Sequence, residues 1–365
     1  MLVALLIIIA FIAAVAIFIR LPRFGSKPSG ERLALIQQSP NYRDGAFQNQ
    51  SPTPSLTDGA TYSSVMKEFF FKRNKRVQPE RPIPSVKTDL LSLNRKEDIL
   101  VWFGHSSYYM QIDGKRILVD PVLSGHASPF SFTTKAFPGA DRYKPADIPE
   151  IDYLFISHDH WDHLDYDAII ALKPKIKQVI CSLGTGAHLE RWGYDKNIII
   201  EKDWYQEIAL GDGFMVHTVP GRHFSGRSFK RNQAIWCAFA LKTPTMNLFI
   251  GGDSGYDKHF AEAGKTYGPF DLAILECGQY SKNWKYIHML PGEVLQAAKD
   301  LHAKRLLPVH SSKFALSTHD WDAPLKTLTE LNKQEHVDMI TPMIGERVNL
   351  KDTTQQFTKW WELGN

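Results

Sequence analysis

The feature that most constrains this chain is the run Ser157-His158-Asp159-His160-Trp161-Asp162-His163, which has the pattern His-x-His-x-Asp-His. The run follows an apolar segment at 151–156, which predicts a buried strand, and precedes helical spacing at 164–172. Three imidazoles and their neighbouring carboxylates are costly to bury without partners. Imidazole nitrogens and carboxylate oxygens are ligands that zinc, iron and manganese accept. The run therefore predicts a metal site, and a solvated loop of His and Asp is the alternative.

Composition excludes several classes of protein. The 365 residues are 43% hydrophobic, enough for one large or two ordinary domains with a real core. The net charge of +4 is too small and too dispersed to indicate a nucleic-acid partner. The three cysteines, Cys181, Cys237 and Cys277, form no close pair, which argues against a disulfide framework and a Cys-rich zinc site.

The N-terminal segment is apolar and uncharged from Met1 to Ile19, and the cations Arg20, Arg23 and Lys27 follow it. Its length predicts a transmembrane anchor over residues 1–20. A cleaved signal peptide is the alternative, although the segment lacks the basic start that such peptides have. Because the flanking cations lie on the C-terminal side, we expect the body of the protein on the cytoplasmic side of the membrane.

Residues 21–84 are predicted to be a linker or arm, because their first part is rich in Ser, Pro, Gln, Asn and Gly. Within this arm, Phe69-Phe70-Phe71-Lys72-Arg73-Asn74-Lys75-Arg76 joins three aromatic residues to four cations. Such a segment can rest on anionic lipid headgroups. A solvated basic edge with buried aromatic rings is the alternative interpretation.

Residues 85–365 are predicted to form the main domain. Short strands with tight turns alternate there with helical stretches, which indicates an α/β fold built in layers. Three further candidate ligands, His223, Asp253 and His310, each follow an apolar strand and a small residue or proline. Residues at such strand ends often carry function on a rigid scaffold. The repetition of this pattern is the reason for including them.

In the order of these candidate ligands, the chain resembles the metallo-β-lactamase fold superfamily. The signature of that superfamily is His-x-His-x-Asp-His followed by a later His, a Gly-Asp and a final His. The resemblance covers roughly residues 85–345 and implies a four-layer αβ/βα sandwich. More closely, the chain is similar to the phospholipase D group that hydrolyses N-acylphosphatidylethanolamine. The segments that carry this similarity are Trp102–Ser106, Asp120–Leu123, Ala127–Pro129, Ile156–Tyr166, Gly252–Tyr256, Gly268–Ala273, Val309–His310 and Phe314–Leu316.

The resemblance also implies roles for the candidate residues. One divalent ion would be held by His158, His160 and His223, and a second by Asp162, His163 and His310, with Asp253 bridging the two. Zinc is the expected metal. Water activated between the ions would attack phosphorus or a carbonyl carbon. Asp162, Asp253 and His288 are the implied catalytic residues, and His105 and Asp120 are expected to support the ligands from behind.

Three functions remain open from the sequence. The first is a membrane-associated phosphodiesterase acting on N-acylphosphatidylethanolamine-type lipids, with a phospholipid and a membrane surface as partners. The second is a hydrolase of a small soluble substrate, such as a phosphorylated lactone or a cyclic phosphodiester. The third is a non-catalytic metal-binding protein, against which the complete ligand set argues. The segment 278–284 departs from the phospholipase pattern. The resemblance therefore predicts the substrate less strongly than it predicts the metal centre.

Overall fold

The computed structural model describes residues 1–57, 59–71 and 74–363. The helices are α1 Leu2–Phe18, α2 Gly30–Gln38, α3 Tyr62–Phe71, α4 Tyr166–Leu172, α5 Gly186–Arg191, α6 His259–Tyr267, α7 Pro291–Asp300 and α8 Ala323–Glu335. The strands are β1 Tyr42–Arg43, β2 Ala46–Phe47, β3 Ile99–Trp102, β4 Tyr108–Ile112, β5 Lys115–Val119, β6 Ile151–Ile156, β7 Ile176–Ser182, β8 Ile199–Lys202, β9 Glu207–Gly211, β10 Phe214–Pro220, β11 Cys237–Lys242, β12 Asn247–Ile250, β13 Leu272–Glu276, β14 Leu306–Val309 and β15 Arg347–Asn349.

Two large sheets form the centre of the molecule. The first has seven strands in the order β15-β3-β4-β5-β6-β7-β8, and the second has six in the order β14-β13-β12-β11-β10-β9. Strands β5 to β8 pair in parallel, as do β12 to β14. The predicted turn at Asp113-Gly114 joins β4 to β5 with both residues at positive φ, the geometry that a two-residue hairpin requires.

The two sheets pack face to face between outer layers of helices, which gives the predicted mixed α/β sandwich. Side chains alternate along β3, so that Leu100 and Trp102 enter the core between the sheets while Ile99 and Val101 face outward. The outward face of the seven-stranded sheet packs on α4 and α5, and that of the six-stranded sheet packs on α6, α7 and α8. Every β6 residue is buried because it lies between two such layers.

The arm at residues 21–84 packs against this sandwich. Ile36, Phe47 and Ile83 are buried in the core cluster between the sheets, and Arg32 forms ion pairs with Glu190 and Glu201 on the body. The boundaries of the arm as a separate unit stay a prediction. Two cations of its basic-aromatic segment, Lys72 and Arg73, lie outside the described residues, so the lipid-contact hypothesis for that segment is described only in part.

The N-terminal segment requires a correction. Helix α1 forms over the apolar residues and buries none of them, but it ends at Phe18, and Leu21, which precedes Pro22, has non-helical backbone angles of φ −55° and ψ 146°. Its 17 residues reach about 26 Å at 1.5 Å each, whereas a bilayer core is about 30 Å thick. Within the described ranges, no helix has the length and apolarity needed to cross a membrane. The predicted transmembrane anchor is therefore not supported, and neither is the orientation inferred from it.

Candidate metal centre

The candidate ligands lie where strands of both sheets end. His158, His160, Asp162 and His163 occupy the loop between β6 and α4 in the seven-stranded sheet. The later three come from the six-stranded sheet, His223 after β10, Asp253 after β12 and His310 after β14. Strands β10, β12 and β14 run in the same direction, so their carboxyl ends share one edge of the sheet. All seven predicted ligands are thereby brought together.

The first group of side chains contains His158, His160, His223 and Asp253, whose ligand atoms lie within 4.8 Å of one another. His160 Nδ1 is 2.9 Å from His158 Nε2 and 3.2 Å from His223 Nε2. Asp253 Oδ2 lies 3.9 Å from His158 Nε2 and 3.7 Å from His223 Nε2. Three imidazoles and a carboxylate converging in this way match the ligand set predicted for one ion.

A second group contains His105, Asp162, His163 and His310. The other oxygen of Asp253, Oδ1, lies 3.1 Å from His163 Nε2 and 3.1 Å from His310 Nδ1. One carboxylate oxygen therefore faces each group, which is the arrangement that a bridging ligand needs. Asp253 follows Gly251 and Gly252, and a Cβ at Gly251 would lie 2.5 Å from the carbonyl oxygen of Ile274, so the close approach requires glycine.

Burial sets the charge of the imidazoles. It holds the pKa of His158, His223 and His310 well below the ordinary value for histidine, so these rings are neutral near pH 7 and keep a lone pair for a metal. Burial also opposes the charged form of His163, but Asp253, Asp162 and Asp120 outweigh it and raise the pKa of this ring. The three carboxylates thus favour a proton on His163. A bound metal cation would supply that positive charge in place of the proton.

The donor set fits divalent metal ions. His310 Nε2 is buried and has no hydrogen-bond partner among the described residues. Buried polar atoms are rarely left unsatisfied in this way. Burial would raise the pKa of Asp253, but the neighbouring imidazoles hold it at about 2, so the carboxylate is ionised. Neutral imidazoles and ionised carboxylates are the ligands that zinc and similar ions bind.

The supporting residues lie directly behind the ligands. Asp120 Oδ2 accepts a hydrogen bond from His163 Nδ1 at 2.8 Å and another from Ser157 Oγ at 2.6 Å. His105 Nε2 lies 2.9 Å from Asp162 Oδ2. These contacts fix the orientation of His163 and Asp162, as outer partners of metal ligands usually do. Both residues were expected in this role from the sequence.

His288, the third predicted catalytic residue, also lies at the centre. Its ring centroid is 5.0 Å from that of His223 and 5.2 Å from that of His310. The sequence did not reveal its partner Glu276, whose Oε2 lies 2.7 Å from His288 Nδ1 while Oε1 accepts from the Met289 amide. Burial raises the pKa of Glu276, and Glu276 in turn raises the pKa of His288 against the effect of burial. The pair therefore holds a proton near the ligands.

Another unpredicted residue, Asn49 of the arm, forms hydrogen bonds with both backbone groups of His223. Its amide Nδ2 donates to the carbonyl oxygen of His223 at 2.7 Å, and its Oδ1 accepts from the His223 amide at 3.1 Å. Trp236 Nε1 also donates to this Oδ1 at 3.2 Å. No local pattern in the sequence joins residues 174 positions apart, so this contact was visible only in the folded chain.

A series of aromatic contacts leads from the surface to the metal motif. The rings of Phe132, Phe130, Phe18, Phe24 and Trp161 follow one another with centroid separations of 5.3, 4.7, 5.1 and 5.2 Å. We call these five residues the aromatic series. Its outer member Phe132 is 70% exposed, and its inner member lies between two predicted ligands in the sequence.

Comparisons with known proteins agree with this geometry. Residues 115–311 match the family described as the beta-lactamase superfamily domain. An uncharacterized protein of Mycobacterium tuberculosis is 37% identical over 339 residues, 90% of this chain and 89% of that protein. The N-acyl-phosphatidylethanolamine-hydrolyzing phospholipase D 1 of Caenorhabditis elegans is 28% identical over 271 residues, 69% of this chain and 71% of the relative.

The fold is also found in solved structures. A metallo hydrolase from Ignicoccus hospitalis superposes with a TM-score of 0.53 at 21% identity, over 69% of this chain and 97% of that one. That likeness bears on the fold alone. Together with the family match over more than half of the sequence and the assembled ligand groups, it confirms the family expected from the His-x-His-x-Asp-His run. The chain is a member of the metallo-β-lactamase superfamily, related to the phospholipases D that hydrolyse N-acylphosphatidylethanolamine.

Proposed function

We propose that this metal-dependent hydrolase cleaves phosphodiester bonds of N-acylphosphatidylethanolamine-type lipids at a membrane surface, using two divalent ions with zinc as the expected metal. The observation that carries the lipid proposal is the aromatic series, a continuous set of contacting rings from exposed Phe132 to Trp161, which lies between His160 and Asp162 in the sequence. Exposed apolar residues of α1 extend this surface through Phe18. Contact with a lipid surface does not require a helix that crosses the bilayer.

The ions, when bound, would polarise the phosphoryl group and lower the pKa of water to near neutrality. Asp253 would hold both ions, because one of its oxygens faces each ligand group. Asp162 would orient the attacking water, and His105 keeps that carboxylate in place. His288, with its Nδ1 bonded to Glu276, would donate a proton through Nε2 to the leaving alkoxide.

The proposal is tested by measuring turnover of N-acylphosphatidylethanolamine in vesicles and of a soluble chromogenic phosphodiester by the full chain. A Phe130→Ser/Phe132→Ser variant should lose vesicle activity and keep activity on the soluble ester, because it removes apolar surface and leaves the ligands intact. Leu91→Ser is the control, since Leu91 is 59% exposed and lies outside both the aromatic series and the basic-aromatic segment. Equal vesicle activity in all three proteins would contradict the lipid route.

One observation favours a second candidate, a hydrolase of a small anionic substrate. A polar cavity of about 350 Å³ lies beside His223 and is lined by Arg43, Arg231 and amide side chains of the arm. Such a polar, cationic lining suits a soluble phosphodiester better than it suits an acyl chain. Rapid turnover of a cyclic or chromogenic phosphodiester without any turnover of vesicles would favour this candidate.

A further inference from the structure

A second cavity, of about 590 Å³, lies between the first residues of the arm and the segment after His223. Ile19, Arg20 and residues 24–29 line one side, and residues 226–230 line the other. None of the seven predicted metal ligands lines it, although Asp159 of the metal motif does. The cavity is therefore distinct from the ligand groups; it shares Phe24 with the aromatic series, and the proposed hydrolysis gives no role to its cations.

The lining of this cavity is strongly cationic. Arg20, Lys27, Arg191 and Lys230 are exposed along it, and within the described part of the chain none of them lies within 4.0 Å of a carboxylate. Among the described residues that line the cavity, Asp159 is the one acidic residue. Its carboxylate already accepts from the Gly226 amide at 2.6 Å and lies 3.2 Å from His188 Nε2. The four exposed cations therefore carry charge that the protein itself leaves unbalanced.

A fifth cation, Arg227, strengthens the positive field from below. Its side chain is buried and donates to the carbonyl oxygens of Asp159, Leu164 and Arg23 at 2.7–3.1 Å. Its guanidinium lies 3.9 Å from the ring centroid of Trp161. These contacts are to neutral groups, and among the described residues no carboxylate lies within 4.0 Å of the guanidinium, although Asp159, Asp165 and Asp162 interact with it at longer range. Arg227 therefore adds to the positive field at the cavity, and the three carboxylates offset part of its charge.

Apolar residues flank the same cavity. Phe229 is 82% exposed, and Ile19 follows the last residue of α1, whose apolar side chains are also exposed. A ligand that fits the cavity would thus combine an anionic head with an apolar part, or be a small anion alone. Phosphate suits five cations better than a carboxylate does, since it carries more charge and presents more acceptor oxygens.

We propose that this cavity binds a phosphate-bearing anion, either the headgroup of an anionic lipid or a small phosphate ester. The test uses the full chain in its metal-loaded form and a Lys27→Gln/Lys230→Gln variant. The control, Lys242→Gln/Lys326→Gln, removes the same charge from two exposed lysines that do not line the cavity. Because all four lysines are exposed, we expect each variant to fold, and thermal unfolding checks this.

Two kinds of probe distinguish the source of the phosphate. Glycerol 3-phosphate is titrated calorimetrically, and phosphatidylcholine vesicles with and without phosphatidic acid are tested by co-sedimentation. Each measurement is repeated after chelation, because phosphate also binds divalent metals. Because two cations are removed, the cavity variant should bind about 30-fold more weakly, while the control pair should bind as the unchanged chain does.

Loss of binding to both probes identifies the phosphate group itself as the ligand, and loss confined to the vesicles identifies a lipid headgroup. Equal weakening in the two variants would reveal a diffuse charge effect and overturn the proposal. Unchanged binding in the cavity variant, or no binding of any probe by the unchanged chain, would overturn it as well. These results do not depend on turnover, so they are independent of whether the metal centre hydrolyses lipids.

Discussion

Asn49 provides a sharp test of how the arm supports the metal centre. An Asn49→Ala variant removes the acceptor of the His223 amide and the donor to its carbonyl oxygen, both at a buried residue. Trp236 Nε1 would keep its other acceptor, the carbonyl oxygen of Gly221 at 2.9 Å. Two buried backbone groups are thus left without partners, at about 1–3 kcal/mol each.

Water entering from the adjacent polar cavity would recover part of this cost, so we expect a net loss of about 3 kcal/mol in the free energy of unfolding. Because the affected loop carries a ligand, metal affinity should fall by about 10- to 100-fold. Asn49→Asp should give an intermediate result, since it keeps the acceptor of the His223 amide and loses the donor.

Urea unfolding gives the stability change, and competition with a chromophoric chelator gives the metal affinity. Gln48→Ala is the matched control, because Gln48 is the adjacent amide residue and its side chain donates a single exposed hydrogen bond, to the carbonyl oxygen of Arg43. Reduced stability with unchanged metal affinity in Asn49→Ala would show that Asn49 has a merely structural role. Unchanged values of both quantities would refute the reasoning altogether.

Three further predictions concern individual side chains. Asp253→Asn should lose both ions by elemental analysis whereas His223→Ala keeps one, and equal losses would remove the argument for a bridge. Asp120→Asn should lower metal affinity by about 10- to 100-fold in the chelator assay while the chain stays folded, because it weakens the hydrogen bond that orients His163; unchanged affinity would contradict this. Burial lowers the pKa of Lys313 to about 8, whereas an unfolded lysine titrates near 10.4, so the unfolded chain binds more protons in this window. Native stability, measured by urea unfolding and taken relative to Lys313→Met, should therefore rise by about 2–3 kcal/mol from pH 8 to 10, and parallel curves for the two proteins would contradict the shift.

The strands and ligands that were predictable share a local pattern. A continuous apolar run predicted β6, and the strand-then-ligand order predicted the positions of His223, Asp253 and His310. Glu276 was missed because it is itself the last residue of β13 and follows Leu275 directly, without the glycine or proline that precedes the other three residues. The roles of these residues as metal ligands and catalysts stay predictions.

Other features depend on tertiary contacts that the local sequence does not contain. Strand β9 ends in Gly211 and is largely exposed, so its apolar pattern is weak. Strand β15 has only three residues and forms because it pairs with β3 some 250 positions earlier. The polar composition of the arm predicted a tether, but a few apolar residues such as Ile36 and Phe47 were enough to dock it on the body.

The division of the ligands between the two sheets has a consequence for assembly. The loop after β6 supplies four ligands from the first half of the chain, and the loops after β10, β12 and β14 supply three from the second half. A growing chain would therefore present an incomplete site until β14 has been synthesised. Since metal affinity depends on the ligands from both sheets, ion binding would be a late step in folding. It would stabilise the packing of the two halves of the sandwich against each other. Loss of the ions should therefore weaken the packing between the two sheets before it affects the strand pairing within either sheet.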